Sequence, residues 1–152
     1  MDWLSFLPFL IAVVVVAASG ALFMPGEWYR TLDKPTWTPP DWLFGPAWSL
    51  LYLLIAIAGW LVWTAEGIGL ALAVWALNLV INGAWSWLMF GRRRIAAALF
   101  DALGMLATIV AFILLAWPAS RTASLLFLPY LAWVTFATAL NASILQRNRG
   151  AL

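Results

Sequence analysis

Aromatic and amide side chains recur at helical spacing inside the apolar stretches of this 152-residue chain. Trp48 and Tyr52 are four residues apart, and Asn82 and Trp85 are three apart. Residues at these spacings share one face of a helix. A third stripe of the same kind comprises Tyr130, Trp133, Ala137 and Asn141. Stripes that combine indole rings with amides are suited to binding a flat, apolar ligand with polar edges.

The residue types also exclude several kinds of chemistry. The chain has no cysteine and no histidine, so it has no thiolate nucleophile, imidazole base or His/Cys metal site. Asp101 is the one carboxylate inside an apolar stretch, which argues against paired acid–base catalysis and against a proton relay. We therefore expect no bound metal and no other cofactor. A binding protein for hydrophobic molecules is the class that remains.

The composition predicts that the chain lies in a membrane. Hydrophobic residues make up 66% of it and charged residues only 9%, whereas soluble domains carry about 25% charged residues. So few charges cannot cover the surface of a soluble protein, and the net charge of +2 is too small for a nucleic-acid binder. We predict an integral membrane protein with no nucleic-acid partner.

The lengths of the apolar stretches predict five membrane-spanning helices. A helix needs about 20 apolar residues to cross the hydrocarbon core. The fold class expected is therefore all-α, a five-transmembrane-helix bundle that forms a single domain over residues 1–152. The predicted spans are residues 3–24, 43–65, 69–90, 95–117 and 123–146.

The distribution of Lys and Arg predicts the orientation of these spans. Seven of the eight basic residues lie in the first loop, the third loop and the C-terminal tail, which share one side of the membrane. Because basic loops stay in the cytoplasm, we expect the N-terminus outside and the C-terminus in the cytoplasm. The aromatic and amide stripes then lie in the cytoplasmic half of the bundle, and so does Gly20, one turn before the end of the first span.

The first loop, residues 25–42, is rich in proline and aromatic residues. Proline restricts the backbone, and the aromatic rings need a surface to pack against. Two interpretations stay open: an aromatic belt at the membrane interface, or an ordered lid over the cytoplasmic end of the bundle. The lid interpretation involves Trp28, Tyr29, Trp37, Pro39 and Pro40.

Several interior residues also have purely structural explanations. Asn78, Asn82 and Asn141 could serve only to make hydrogen bonds between helices. We expect Asp101 to pair locally, with Arg147 or with one of the arginines at 92–94. A further expectation is that Gly59 leaves room among the large rings. Pro129 should kink the fifth helix near Leu125, because proline removes a backbone hydrogen bond.

Motifs along nearly the whole chain resemble the TspO/translocator protein family, which includes the peripheral-type benzodiazepine receptor. The resemblance is carried by Trp28-Tyr29, Lys34-Pro35-Thr36-Trp37-Thr38-Pro39-Pro40, Gly45-Pro46-Ala47-Trp48, Asn82-Gly83-Ala84-Trp85, Ala98-Leu99-Phe100-Asp101, Pro129-Tyr130-Leu131-Ala132-Trp133 and Ala139-Leu140-Asn141. It implies a five-helix bundle, commonly a homodimer. Of the two bacterial membranes, we expect the cell membrane rather than the outer membrane, although the sequence does not decide between them.

The resemblance also implies a ligand and a site. The ligand would be a tetrapyrrole such as protoporphyrin IX, bound by a receptor, sensor or carrier with the first loop as lid. Without His or Cys as axial ligands, metal-free porphyrin should be preferred. Ala142 replaces the aromatic residue of sterol-binding relatives, which puts sterol binding in doubt. The expected ligand contacts are Gly20, Trp48, Tyr52, Asn82, Trp85, Trp133, Ala137, Leu140 and Asn141.

Two other functions stay open on the same resemblance. Some bacterial members degrade porphyrin in light, for which Trp48 and Trp133 are the candidate catalytic residues. A porphyrin or sterol transporter is the third possibility, although the chain lacks the internal repeats typical of transporters.

Overall fold

Five helical segments long and apolar enough to cross a membrane make up most of the structure, a computed structural model that describes residues 2–151. The predicted all-α five-span architecture is confirmed, and each span boundary lies within two residues of its predicted position. Met1 and Leu152, the ends of the predicted domain, lie outside the described residues. The segments are Trp3–Leu22, Asp41–Glu66, Leu70–Gly91, Ile95–Ala116 and Arg121–Arg147.

These segments contain six of the seven α-helices found between residues 2 and 151. A short 3-10 turn, Trp3–Phe6, precedes the first helix, and a π-helical turn, Trp87–Gly91, extends the fourth. The helices are α1 (Leu7–Leu22), α2 (Glu27–Thr31), α3 (Asp41–Glu66), α4 (Leu70–Ser86), α5 (Ile95–Ala116), α6 (Arg121–Leu126) and α7 (Leu128–Arg147). The helix α2 lies in the loop of residues 25–40, which we call the proline-rich loop.

The fifth span is interrupted at Phe127, close to the kink predicted near Leu125. Pro129 occupies the first turn of α7. Proline is tolerated there because the N–H groups of a first turn have no partner within the helix, so none is lost. The Phe127 ring fills the break and packs on Phe112, with 4.0 Å between the ring centroids. The interruption is therefore buried and well packed.

Buried side chains form two clusters at different depths. The larger one lies among α1, α3, α4, α5 and the α6–α7 segment. The smaller one lies where the proline-rich loop meets α4, α5 and α7; its buried residues include Tyr29, Leu32, Met89, Ile95 and Leu140. Large apolar residues on the outer faces, such as Phe100 and Leu114 of α5, stay exposed, as suits a surface in contact with lipid.

The space expected beside Gly59 is already filled. A Cβ atom at this position would lie 2.4 Å from Cε2 of Trp75, whose indole N–H donates to the Ile55 carbonyl at 2.9 Å. The expectation that Gly59 leaves room among the rings is therefore wrong. The missing side chain lets α3 and α4 approach closely, as small residues do in membrane bundles.

Candidate functional site

A chain of side-chain hydrogen bonds crosses the interior and joins four helices. The Tyr52 hydroxyl of α3 donates to Asn82 Oδ1 of α4 at 3.0 Å, and Asn82 Nδ2 donates to the Tyr130 hydroxyl of α7 at 2.7 Å. Tyr130 then donates to Asn78 Oδ1 at 3.0 Å, and Asn78 Nδ2 donates to Thr108 Oγ1 of α5 at 2.9 Å. Each amide thus has partners on both of its polar atoms.

A second amide connection lies nearer the proline-rich loop. The Trp85 indole N–H donates to Asn141 Oδ1 at 3.1 Å, and Asn141 Nδ2 donates to the Ile95 carbonyl at 3.1 Å. The three asparagines Asn78, Asn82 and Asn141 therefore do make hydrogen bonds between helices. Because buried polar groups in a membrane interior need such partners, these bonds set the relative positions of α4, α5 and α7.

Aromatic rings surround the first of these connections. The Trp48 ring lies 5.4 Å from that of Tyr52 and 6.2 Å from that of Tyr130, measured between centroids. Trp48 and Tyr52 are thus brought together with Tyr130, as their spacing on the helices predicted.

A row of four rings joins the proline-rich loop, α7 and the first turn of α3. Trp37 of the loop packs edge-on against Phe136 at 5.6 Å, Phe136 lies 5.9 Å from Trp133, and Trp133 meets Phe44 of α3 edge-on at 5.7 Å. We call Trp37, Phe44, Trp133 and Phe136 the aromatic row. It joins a residue of the loop to a predicted ligand contact on α7.

Trp133 has an unusual feature within this row. Its indole nitrogen is buried without a hydrogen-bond partner among residues 2–151. The indole N–H groups of Trp60, Trp75 and Trp85 all have acceptors. A buried donor without an acceptor costs roughly 1–3 kcal/mol. The Trp133 N–H is therefore a donor available to a bound molecule.

The proline-rich loop is ordered and packed on one end of the bundle. Tyr29 is buried, and its ring meets Phe90 edge-on at 5.4 Å. Lys34 Nζ donates to the carbonyls of Tyr29 and Leu32 at 2.9 and 3.2 Å. Burial raises the pKa of the Tyr29 hydroxyl above its usual value of 10.0, and the carboxylate of Asp41 raises it further.

The other predicted site residues are more dispersed. Gly20 lies beside Ser86, and a Cβ there would be 3.8 Å from Ser86 Oγ. Leu140 belongs to the smaller buried cluster, against which Trp28 packs. Ala137 and Pro39 are half-buried, and Pro40 is exposed just before α3.

Asp101 does not form the expected ion pair. Its Oδ2 atom is buried and has no hydrogen-bond partner within the described chain. Arg147, one of the partners predicted for it, instead lies with Nη1 3.8 Å from Asp33 Oδ2 of the proline-rich loop, and none of the arginines at 92–94 pairs with Asp101 either. The prediction assumed that Arg147 would pair with Asp101 because the ends of their helices are close together. It was wrong because the proline-rich loop lies over the end of α7 and places the Asp33 carboxylate beside Arg147.

One cavity reaches the predicted site. It measures about 220 Å³ and lies between α1 and α3; its described lining is apolar except for Ser49 and Tyr52, and Tyr52 is the predicted ligand contact in it. Another opens at the far end of the bundle, beside Asp2, Ser5, Trp63 and Thr64. Drug-sized ligands occupy pockets of about 300–1,000 Å³. The cavity beside Tyr52 lies below this range.

Comparison with known proteins identifies the family of this chain. The model of the TspO/MBR family matches residues 8–147. The chain belongs to this family. It is 42% identical over 148 residues to the tryptophan-rich sensory protein of Cereibacter sphaeroides, a match that covers 97% of this chain and 94% of the relative.

Other members of the TspO/MBR family match over similar lengths. Protein CrtK of Rhodobacter capsulatus is 38% identical over 154 residues, with 99% of this chain and 96% of CrtK covered. The human translocator protein is 33% identical over 156 residues, with 97% and 92% covered. Together with the five apolar helices, this membership makes the chain an integral multi-pass membrane protein and supports a sensor or transporter role.

Three residues of the site were not among the predicted ligand contacts. Tyr130 is the centre of the hydrogen-bond chain, and Phe44 and Phe136 complete the aromatic row. Tyr130 lies on the stripe that the spacing of α7 indicates, so its position could be foreseen. Nothing in the spacing distinguishes Phe44 or Phe136 from the other phenylalanines of the chain.

Proposed function

We propose that this TspO/MBR protein is a membrane receptor or carrier for tetrapyrroles such as protoporphyrin IX. The ligand would bind between the hydrogen-bond chain and the aromatic row, under the proline-rich loop. The observation that carries the proposal is the buried, unpartnered N–H of Trp133 among aromatic rings. Such a donor suits a flat aromatic ligand that stacks on the rings and offers an acceptor atom.

Entry of the ligand would require opening of the loop. Trp37 is 46% exposed and caps the outer end of the aromatic row, so lifting the loop would uncover Phe136 and then Trp133. The loop then acts as the lid, which exchanges between a closed and an open arrangement. A ligand shifts the equilibrium between the closed and the open loop only to the extent that it binds the open state more tightly than the closed one.

The test compares Trp133→Phe with Trp63→Phe. Trp133→Phe keeps an aromatic ring but removes the N–H, whereas Trp63 lies at the opposite end of the bundle. Protoporphyrin binding is measured by quenching of tryptophan fluorescence in detergent micelles. We expect Trp133→Phe to weaken binding about tenfold, the loss typical of one buried hydrogen bond, and Trp63→Phe to leave it unchanged. Equal affinities for both variants would contradict the proposed site.

Illumination of the same complexes separates binding from degradation. Trp48 and Trp133 are the tryptophans that would take part in light-dependent porphyrin degradation, and Trp48 contacts both Tyr52 and Tyr130. If bound porphyrin bleaches no faster than free porphyrin, the function is binding or transport alone. Flux into reconstituted vesicles then distinguishes a carrier from a receptor.

The orientation proposed for the chain has the N-terminus outside and the C-terminus in the cytoplasm of a bacterial cell membrane. The described basic residues at the end of the bundle that carries the proline-rich loop support it: Arg30, Lys34, Arg92, Arg93, Arg94, Arg147 and Arg149. A fluorescent reporter that folds only in the cytoplasm, fused after the C-terminus, should be bright. A dark reporter in a stably produced fusion would reverse the assignment.

A further inference from the structure

Three consecutive arginines follow the π-helical turn at the end of α4. The turn fixes their backbone, because Arg92 N–H donates to the Trp87 carbonyl at 2.7 Å and Arg94 N–H donates to the Leu88 carbonyl at 2.9 Å. Arg93 has a φ of +54°, the left-handed region that residues other than glycine rarely adopt. Such strain costs roughly 1–3 kcal/mol and persists only where the surrounding structure imposes it.

None of these three arginines is neutralised by a carboxylate in residues 2–151. The arginines that do form such pairs there are Arg30, with Glu27, and Arg147, with Asp33. The same end of the bundle has seven basic side chains and, in Glu27, Asp33 and Asp41, three acidic ones. The excess of positive charge makes it a favourable place for an anion.

Arg92 and Arg93 face different surroundings. The Arg92 guanidinium lies 5.8 Å from the ring centroid of Trp87, which is 43% exposed on the outer face of the bundle. The Arg93 guanidinium lies 6.0 Å from the ring centroid of Trp28 in the proline-rich loop. Trp28 in turn packs against the buried cluster that contains Leu140, an expected ligand contact. Arg92 is therefore on the lipid side and Arg93 on the side of the loop.

We propose that Arg93 binds a carboxylate of the ligand at the edge of the site, so that the protein selects flat hydrophobic molecules with an anionic edge. This inference rests on the proposed function. Guanidinium groups bind carboxylates through paired N–H donors, and the Arg93 guanidinium, 6.0 Å from the Trp28 ring centroid, has no carboxylate partner in residues 2–151 to occupy its N–H groups. The propionates of protoporphyrin IX are groups of this kind.

The experiment uses protoporphyrin IX and its dimethyl ester, which has the same ring but no carboxylate. Affinities are measured for the full chain, for Arg93→Asn and for the matched control Arg92→Asn in micelles of an uncharged detergent. Asparagine tolerates positive φ, so Arg93→Asn removes the cation without adding backbone strain. Thermal unfolding of each variant confirms that it is folded.

We expect the unmodified protein to bind the diacid roughly three- to tenfold more tightly than the ester, as for a partly exposed charged pair. Arg93→Asn should abolish this preference with the affinity for the ester unchanged, and Arg92→Asn should retain it. Equal binding of diacid and ester by the unmodified protein would overturn the role of Arg93 but leave the proposed function intact. If the unmodified protein binds neither porphyrin, both the role of Arg93 and the proposed function are wrong.

A lipid headgroup is the other anion that could meet these arginines. The measurements are therefore repeated in nanodiscs of zwitterionic lipid and of anionic lipid. If Arg93→Asn changes porphyrin affinity only in anionic nanodiscs, the residue binds the headgroup of an anionic lipid and the assignment to the ligand is wrong. An equal loss of preference for the diacid in both kinds of nanodisc supports the assignment.

Discussion

Asn148, just after α7, holds Asp33 of the proline-rich loop through both polar atoms of its side-chain amide. Its Oδ1 accepts from the Asp33 N–H at 3.0 Å, and its Nδ2 donates to the Asp33 carbonyl at 2.9 Å. The two residues are 115 positions apart, and Asn148 is buried. This pair of bonds fixes the middle of the loop to the end of the fifth span.

Replacing Asn148 with alanine should loosen the loop without unfolding the bundle. Each lost hydrogen bond contributes about 0.5–1.5 kcal/mol, so the free energy for opening the loop should fall by about 1–3 kcal/mol. Amide hydrogen exchange of residues 27–38 should accelerate about tenfold or more. Arg147→Gln breaks the exposed ion pair to Asp33 and an exposed hydrogen bond to Ser143, and should have little effect. Unchanged exchange in Asn148→Ala would show that other contacts hold the loop.

Gly59→Ala should destabilise the whole bundle. The added Cβ would lie within 2.4–2.8 Å of three atoms of the Trp75 indole, which is itself held by its hydrogen bond to the Ile55 carbonyl. Overpacking of this kind costs about 1–3 kcal/mol and should lower the thermal unfolding temperature in micelles by several degrees.

Gly104→Ala is the matched control for that substitution. Gly104 lies inside α5, and the nearest atoms to a Cβ placed there belong to Ile81 at 3.9 Å, an ordinary van der Waals distance. Alanine favours helix by up to about 1 kcal/mol over glycine, so this variant should be as stable as the unmodified protein or more so. Similar unfolding temperatures for both alanine variants would mean that Trp75 can move aside.

Tyr130→Phe should be more harmful than Tyr52→Phe. The Tyr130 hydroxyl accepts from Asn82 and donates to Asn78, so its loss leaves two buried amide atoms unpaired. Loss of the Tyr52 hydroxyl leaves only Asn82 Oδ1 without its donor. With about 0.6–1.5 kcal/mol per bond, Tyr130→Phe should cost about 1–3 kcal/mol and Tyr52→Phe about half as much. Unfolding in graded sodium dodecyl sulfate measures both, and equal losses would mean that the chain is not continuous at Tyr130.

High pH should weaken the docking of the proline-rich loop. Burial raises the pKa of the Tyr29 hydroxyl above 10.0 in the docked loop, and the Asp41 carboxylate raises it further. The docked loop therefore favours the neutral phenol over the tyrosinate. The stabilisation is present in full below pH 10 and is lost as the pH rises through the higher pKa of the docked state. Ultraviolet absorbance follows formation of the tyrosinate, and hydrogen exchange follows the loop. Tyr29→Phe should remove the contribution of Tyr29 to this pH dependence; an unaltered profile would assign it to other groups.

Much of the fold could be predicted from the amino-acid sequence because its cause is local. A run of about 20 apolar residues has no stable arrangement in lipid other than a helix that satisfies its own backbone. The interruption near Pro129 has an equally local cause, since proline lacks an N–H. For the same reason, the spacing of Trp48 and Tyr52 correctly put both on one face of α3.

The pairing of side chains was decided only by the tertiary structure. Whether Asp101 or Asp33 meets Arg147 depends on where the proline-rich loop lies, and no local pattern specifies that. Gly59 was expected to leave space among the rings, but the indole of Trp75 from the next helix occupies that space. Likewise, Trp133 is distinguished from the other tryptophans in residues 2–151 by an indole N–H that is buried without an acceptor. Helix formation depends on short segments, whereas these contacts depend on how five helices and one loop pack together, which is a property of the whole chain.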